Sequence, residues 1–166
     1  MSAILYELDV EGGLQLTYSR LDQKPTDRDF EEYLQSQRRR IRELHKQGRK
    51  EVMIVDLTNV PPQSPTQRRM HTEWVARNEE LVRSVTLGLA FVVTSRTTRG
   101  ILHAIFWFKP PPSQHRICDS LDEALTWGFE LFDRAGVRVS GHVQLEAERK
   151  LRERASLAGE ALPPSA

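Results

Sequence analysis

The pattern of apolar and polar positions predicts strands and helices that alternate along the chain. Apolar and polar side chains alternate over Ile4–Val10 and Leu14–Tyr18, and Glu11-Gly12-Gly13 between them supplies the glycines of a tight turn. Val52–Val55 is a short, continuous apolar run with β-branched residues, as in a strand that is covered on both faces. Thr86–Thr94 has the same character. These segments predict an antiparallel hairpin followed by two interior strands.

Three capping boxes mark where helices begin. Thr26, Ser64 and Ser120 are each followed three residues later by a side chain that can reach back to the cap. Pro65 suits the first turn of the second helix, because its fixed φ is already helical. The helix after Thr26 has an apolar face that Gln37 interrupts. We therefore predict a helix after the hairpin, one after the first interior strand and one near the end of the domain.

The block Ile101–Phe108 has seven apolar residues in eight and stops at Lys109 and three prolines. Its periodicity fits a helix or a strand, but the crossover that parallel strands require favours a helix. His115–Cys118 then predicts a short edge strand. Val143–Ala161 is rich in Glu, Arg and Ala, and it predicts an appended amphipathic helix that is either docked or loosely attached. Its apolar stripe consists of Ala147, Leu151, Ala155, Ala158 and Leu162.

This order of elements predicts an α/β fold, in which helices pack against a mixed β-sheet joined by right-handed crossovers. We expect one domain over residues 1–136 and a helical or flexible C-terminal extension over residues 137–166. A chain of 166 residues is long enough to bury a proper core.

Composition restricts the partners. Lysine and arginine number 24 and aspartate and glutamate 23, so the molecule has no overall field that would attract nucleic acid or an acidic membrane. A single cysteine, Cys118, excludes an internal disulfide and fits a reducing compartment. No stretch approaches the roughly 20 apolar residues that cross a bilayer. We expect a cytoplasmic protein without a membrane span.

The segment Asp56-Leu57-Thr58-Asn59-Val60, together with Leu121–Trp127 and the order of elements, resembles the STAS-like family of anti-sigma-factor antagonists. The resemblance covers about residues 4–135 and leaves the C-terminal extension outside it. It implies a STAS-like fold and a non-catalytic protein-interaction module in a bacterial-type regulatory or signalling pathway. The partner that it implies is a regulator or a kinase-like protein.

Ser64 has two interpretations. The family's pattern continues with D-S-S-G, whose first serine is phosphorylated by a partner kinase, and Ser64 matches that serine. Gln63, Pro65 and Thr66 replace the other three residues of the pattern. The resemblance thus implies a possible phosphorylation site, while the sequence context predicts a helix cap.

No catalytic signature is present, and we expect neither enzyme activity nor a metal or cofactor. Ser64 lacks the G-x-S-x-G elbow of a hydrolase, and none of the five histidines has metal-pair spacing. The arginine runs Arg38-Arg39-Arg40 and Arg68-Arg69 are typical of a solvated helix face, since no aromatic platform for bases accompanies them.

We expect docking at the loops that leave the carboxyl ends of the interior strands. The predicted contact surface is Thr58–Thr66 with the helix start that follows, flanked by Ser95–Arg99 and by exposed aromatics of Ile101–Phe108. The residues that we expect to contact a partner protein are Asp56, Thr58, Asn59, Ser64, Thr66, Arg68, Ser95, Arg96, Arg99, Phe106 and Trp107.

Two alternatives stay open. The arrangement also resembles CRAL-TRIO lipid-transfer domains, which implies an apolar-ligand or lipid-binding domain with Ile101–Phe108 as its gate. Separately, the appended helix could pair with a second copy and form a homodimer.

Overall fold

The computed structural model describes residues 3–21 and 24–160. Within these ranges five strands form one mixed sheet, and their order in the sheet is their order in the chain. The first two strands are antiparallel and the others run parallel to the second. The strands are β1 (Ala3–Val10), β2 (Leu14–Leu21), β3 (Lys50–Asp56), β4 (Thr86–Val92) and β5 (His115–Cys118).

Five helices connect or follow these strands, and the predicted order of elements is confirmed. Thr26, Ser64 and Ser120 cap their helices as predicted, each accepting a backbone N–H three residues later. Ile101–Phe108 belongs to a helix. No helix in the described ranges is long and apolar enough to cross a membrane. The helices are α1 (Asp27–Lys46), α2 (Pro65–Val85), α3 (Arg96–Phe108), α4 (Leu121–Arg134) and α5 (Gly141–Glu160).

The face of the sheet that α4 and α5 cover is mainly apolar and holds the main core. α4 packs on β3, β4 and β5, and α5 packs on β1 and α4. At Gly88 of β4, an added Cβ would collide with Leu131 and stand 2.9 Å from the ring of Trp127. The missing side chain therefore lets α4 lie close against the strand. The largest buried side chains of this core include Leu16, Tyr18, Val52, Ile54, Leu125 and Phe132.

The opposite face carries a buried polar layer where β2 and β3 lie near α1. Thr17 donates a hydrogen bond of 2.6 Å to Glu51, whose side chain is fully buried. Arg40 of α1 forms an ion pair with the same carboxylate and also donates to Gln37 at 3.0 Å. Gln37, which interrupts the apolar face of α1, is therefore the hydrogen-bond partner of an arginine that crosses to the sheet.

The C-terminal helix is docked. Ala147 and Leu151 of α5 are fully buried and belong to the main core, together with Val139 just before the helix. Arg154 lies over the ring of Tyr6 in β1, 5.7 Å from its centroid. The first two positions of the apolar stripe of α5 are therefore buried against the rest of the chain. Of the remaining stripe positions, Ala155 is half-buried, and the side chains of residues 158 and 162 lie outside the described part.

Replacing Leu151 with alanine tests this docking. We expect Leu151→Ala to lower the free energy of unfolding by about 2–5 kcal/mol, because it leaves a cavity between α5 and the sheet. Leu145→Ala on the same helix is the control, since Leu145 is 67% exposed and little should change. Urea unfolding of the two variants measures the difference. Equal, small effects would mean that α5 does not contribute to the core.

Candidate functional site

The two polar junctions after β3 and β4 lie side by side at the carboxyl edge of the sheet. Asp56 and Val92 are neighbours in the parallel register, and the Leu57 N–H donates to the Val92 carbonyl at 2.9 Å. The loop after Asp56 therefore starts beside the turn that leads into α3. This arrangement brings Thr58 and Asn59 to the same edge as the first turn of α3.

Asp56 is the centre of a buried polar cluster. One carboxylate oxygen accepts hydrogen bonds from the Tyr18 hydroxyl at 2.7 Å and from the Arg20 guanidinium at 3.3 Å. The other oxygen accepts the backbone N–H of Thr58 at 2.9 Å. The side chains of Asp56 and Arg20 are each only 5% exposed. Asp56 therefore cannot serve as the contact residue that we predicted, and its carboxylate shapes the loop from inside.

The cluster shifts the titration of its phenol. Burial raises the pKa of Tyr18 above its ordinary value, and the hydrogen bond to Asp56 and the negative charge of that carboxylate add to the effect, while Arg20 opposes it. The Nε of Arg20 is buried without a hydrogen-bond partner. Sequence reasoning missed Tyr18 and Arg20 as members of a site. The alternation of β2 continues beyond Tyr18 and places Arg20 on the same face of the strand as Tyr18. This alternation could have identified the two residues as neighbours.

The loop after Asp56 is held in one conformation by its own backbone. Asn59 has a φ of 59°, a left-handed conformation that asparagine tolerates better than most residues. The Val60 N–H donates to the Leu57 carbonyl at 3.2 Å and closes a turn. Asn59 is exposed at the tip of this turn, while Thr58 is half-buried.

Ser64 joins the starts of two helices. Its hydroxyl accepts the Gln67 N–H at 3.1 Å and donates to the Asp27 carboxylate at 3.3 Å. The side-chain oxygen of Gln67 accepts the Ser64 backbone N–H at 3.2 Å, and the side-chain nitrogen of Gln67 donates to the Pro25 carbonyl at 2.9 Å. Ser64 is therefore the predicted cap of α2 and, in addition, a contact to the first residue of α1. A phosphate on Ser64 would stand next to the Asp27 carboxylate.

The other predicted contact residues of this edge differ in solvent exposure and in the contacts that they make within the chain. Arg68 is exposed and donates to the Gln63 carbonyl at 3.1 Å, which ties the start of α2 to the loop. Ser95 caps α3 by accepting the Thr98 N–H at 3.3 Å. Arg99 pairs with Asp119 and donates to a backbone carbonyl of the chain, so it is mainly structural. Thr66 is half-buried, and Arg96 is exposed.

Phe106 and Trp107 lie at the far end of α3, and as consecutive residues they point in directions about 100° apart. A helix of this length places them roughly 15–20 Å from the edge where α3 begins. The ring of Phe106 packs on Phe91 at 5.1 Å and on His115 at 4.8 Å, measured between centroids, so it faces the sheet and not a partner. Trp107 is 86% exposed. The predicted surface is therefore divided, and only Trp107 of this pair can contact a second molecule directly.

Three exposed apolar residues of α3 were not named individually as contact residues. Ile101, Ile105 and Phe108 are 49%, 44% and 88% exposed, and the spacing of four and three residues places them on one side of the helix. That spacing is visible in the sequence. We expected some side chains of this helix to be buried and others to be exposed, but the sequence did not indicate which side would face outward. In the structure α3 has no fully buried residue.

Over the described residues, no group of three or more His, Cys, Asp or Glu side chains is placed to hold a metal ion. Burial, followed by the nearby Glu123 carboxylate, raises the pKa of Cys118 to about 11, which keeps this buried thiol protonated at neutral pH. Comparisons with protein-family models, with curated proteins and with solved structures found no match to this chain.

Replacing Tyr18 with phenylalanine tests the Asp56 cluster. At neutral pH we expect Tyr18→Phe to lower the free energy of unfolding by about 1–3 kcal/mol, because a buried carboxylate loses a hydrogen bond. The pH dependence should change as well. Because the folded state raises the pKa of Tyr18, the native phenol stabilises the fold below about pH 10, and this contribution is lost as the pH rises further. The native chain should therefore lose stability above about pH 10 more steeply than the variant. Parallel pH profiles of the two chains would contradict the assignment.

The contact between Ser64 and Asp27 can be tested by a double-mutant cycle. We expect Ser64→Ala to cost about 1 kcal/mol, because the cap of α2 is lost. Ser64→Asp keeps a capping oxygen but places a second negative charge beside Asp27, so its stability should rise with salt. In the Asp27→Asn background, Ser64→Asp should cost less. If urea unfolding gives the same cost in both backgrounds, the two side chains are not coupled.

Proposed function

We propose that the chain is a non-catalytic protein-interaction module of a bacterial-type regulatory or signalling pathway, and that it docks through the exposed face of α3 and the adjoining carboxyl edge of the sheet. The observation that carries this proposal is the exposure of Trp107 and Phe108, at 86% and 88%. Burying a side chain of this size is worth roughly 1.5–3 kcal/mol, so a partner that covers both gains considerably.

The composition of α3 supports an apolar contact. From Gly100 to Phe108 the helix carries no Lys, Arg, Asp or Glu. Ile101 and Ile105 extend the exposed apolar area along the helix. Depletion of charge and enrichment of Trp and Phe are the features that distinguish the centre of a protein interface from ordinary surface.

The carboxyl edge supplies a polar flank to this face. Asn59 and Arg96 are exposed there, on segments whose backbones are fixed by the Asp56 cluster and by the cap at Ser95. A surface that is already ordered loses little entropy when a partner binds, which favours recognition. In this proposal the loop Thr58–Thr66 sets specificity and α3 supplies most of the affinity.

The regulatory setting rests on the resemblance of Asp56–Val60 to STAS-like proteins. A regulator or kinase-like partner that acts on Ser64 is part of the same proposal. Phosphate at this position would add roughly two negative charges beside Asp27, where Ser64 donates its hydrogen bond. Such a change would loosen the contact between the starts of α1 and α2, next to the proposed docking loop.

An apolar-ligand or lipid-binding domain is the second candidate. The observation in its favour is that α3 buries none of its residues completely, while Leu89 and Phe91 on β4 stay half-buried. A helix that is loosely packed over apolar strand positions could move aside for an acyl chain. Native mass spectrometry of the purified chain decides between the candidates, because a bound acyl chain would support this one.

Removing the two aromatic side chains tests the docking proposal. We expect the double variant Trp107→Ser, Phe108→Ser to reduce partner capture from an extract of the native cell by at least about tenfold, because the centre of the contact is lost. Leu145→Ser is the control, since Leu145 is also an exposed apolar residue, at 67%, but lies on α5, across the sheet. Both chains should unfold at the same urea concentration as the native chain. Unchanged capture by the double variant would contradict the proposal.

A further inference from the structure

The exposed face of α3 has large side chains at one end and small ones at the other. Phe106 faces the sheet, so the helical repeat places Ala104 near the centre of the opposite side. Gly100 lies one turn before Ala104 and Phe108 one turn after it. Around a Cβ built at Gly100 no atom stands within 4 Å, so this position opens directly to solvent. The face therefore combines a shallow depression with a protruding ring.

These two features match under a two-fold axis. When two α3 helices run antiparallel and cross at Ala104, Trp107 of one copy lies beside Gly100 of the other, and Phe108 lies beside Ile101. Large side chains then fill the space beside small ones, and the small Ala104 at the axis allows the two helices to approach closely.

The charge pattern favours the same pairing. A surface that contacts its own copy brings any charge near the two-fold axis close to an identical charge, which is unfavourable. Gly100–Phe108 contains no acidic or basic residue, so the central part of such a contact is free of this repulsion. Arg99, just before it, is already paired with Asp119.

We propose that the partner of the α3 face is a second copy of this chain, which docks by antiparallel pairing of the two α3 helices about an axis at Ala104. This inference rests on the proposed docking role of α3 and names its occupant. It differs from self-association through the C-terminal helix, because Ala147 and Leu151 of α5 are buried within the chain.

The available area is that of a small dimer interface. Aromatic side chains bury roughly 150–250 Å² each, so Trp107, Phe108 and the two isoleucines offer on the order of 500 Å² per copy. Specific interfaces bury roughly 800 Å² per partner, and weaker, transient ones bury less. We therefore expect a reversible dimer whose population rises over the micromolar range.

A membrane surface fits the face less well. Helices that lie in the membrane interface combine an apolar side with a strongly charged polar side rich in Lys and Arg. In α3 the charged residues are Arg96 and Arg99, both in the first turn, and Arg99 is engaged by Asp119. The exposed aromatic residues lie at the other end of the helix.

A charge-swap experiment at Ala104 tests the proposal on the full-length chain. Sedimentation equilibrium of the native chain should show masses that rise from 19.1 kDa towards twice that value with concentration. Ala104→Glu alone and Ala104→Lys alone should each weaken the dimer by at least about tenfold, since each places like charges at the axis. An equimolar mixture of the two variants should recover a dimer. Ala104 is exposed, so both variants should remain folded, which circular dichroism checks.

Each other outcome has a defined meaning. A dimer that neither variant weakens, or no recovery in the mixture, overturns pairing at Ala104. If the native chain stays monomeric at the highest concentration, the partner of the α3 face is not a second copy. The docking role of α3 is judged separately, by crosslinking in cells from a photoreactive residue at position 108. A crosslink to a different protein supports that role. If no protein is crosslinked, the docking role is contradicted. Cosedimentation with anionic phospholipid vesicles that requires Trp107 would assign the face to a membrane and overturn both.

Discussion

A single buried carboxylate fixes the loop that forms the polar flank of the candidate surface. Asp56 cannot be taken out of water cheaply, because an unpaired buried charge costs several kcal/mol. Tyr18, Arg20 and the Thr58 N–H together satisfy it. These partners come from β2 and from the first residues of the loop, so the cluster fixes two strands and the exit of the chain at once. The exposed tip of the loop is therefore presented by a rigid base, and a change at Asp56 would act on a partner only through the shape of that tip.

The two faces of the sheet achieve stability in different ways. On the side of α4 and α5, apolar side chains interlock, and Gly88 allows the closest approach. On the side of α1, Glu51 is fully buried, and one of its carboxylate oxygens binds both Thr17 and Arg40, while the other is buried without a hydrogen-bond partner. An apolar face tolerates a sliding helix, whereas a buried ion pair with hydrogen bonds defines one position. The polar layer thus gives α1 its register.

The sequence predicts local structure well and the orientation of helices poorly. The caps at Thr26, Ser64 and Ser120 depend on residues three positions apart, and all three predictions are confirmed. The outward side of α3 depends on how the helix is rotated over β4, which no local pattern contains. Phe106 was therefore grouped with Trp107, although one contacts the sheet and the other faces solvent. The burial of Asp56 was also missed, because Arg20 lies 36 residues away in the chain and the predicted β2 ended at Tyr18.

The order of the strands has a consequence for how the chain assembles. Every strand pairs with its neighbour in sequence, so the sheet can grow from the hairpin outward without waiting for distant segments. During synthesis, β1 to β4 can pair as soon as they leave the ribosome. α5 is the exception, since it follows the strands in the chain and returns to β1 at the far edge. Until α5 emerges, α4 covers only the β3–β5 part of that face and the β1 edge stays open, so the sheet forms before its cover is complete.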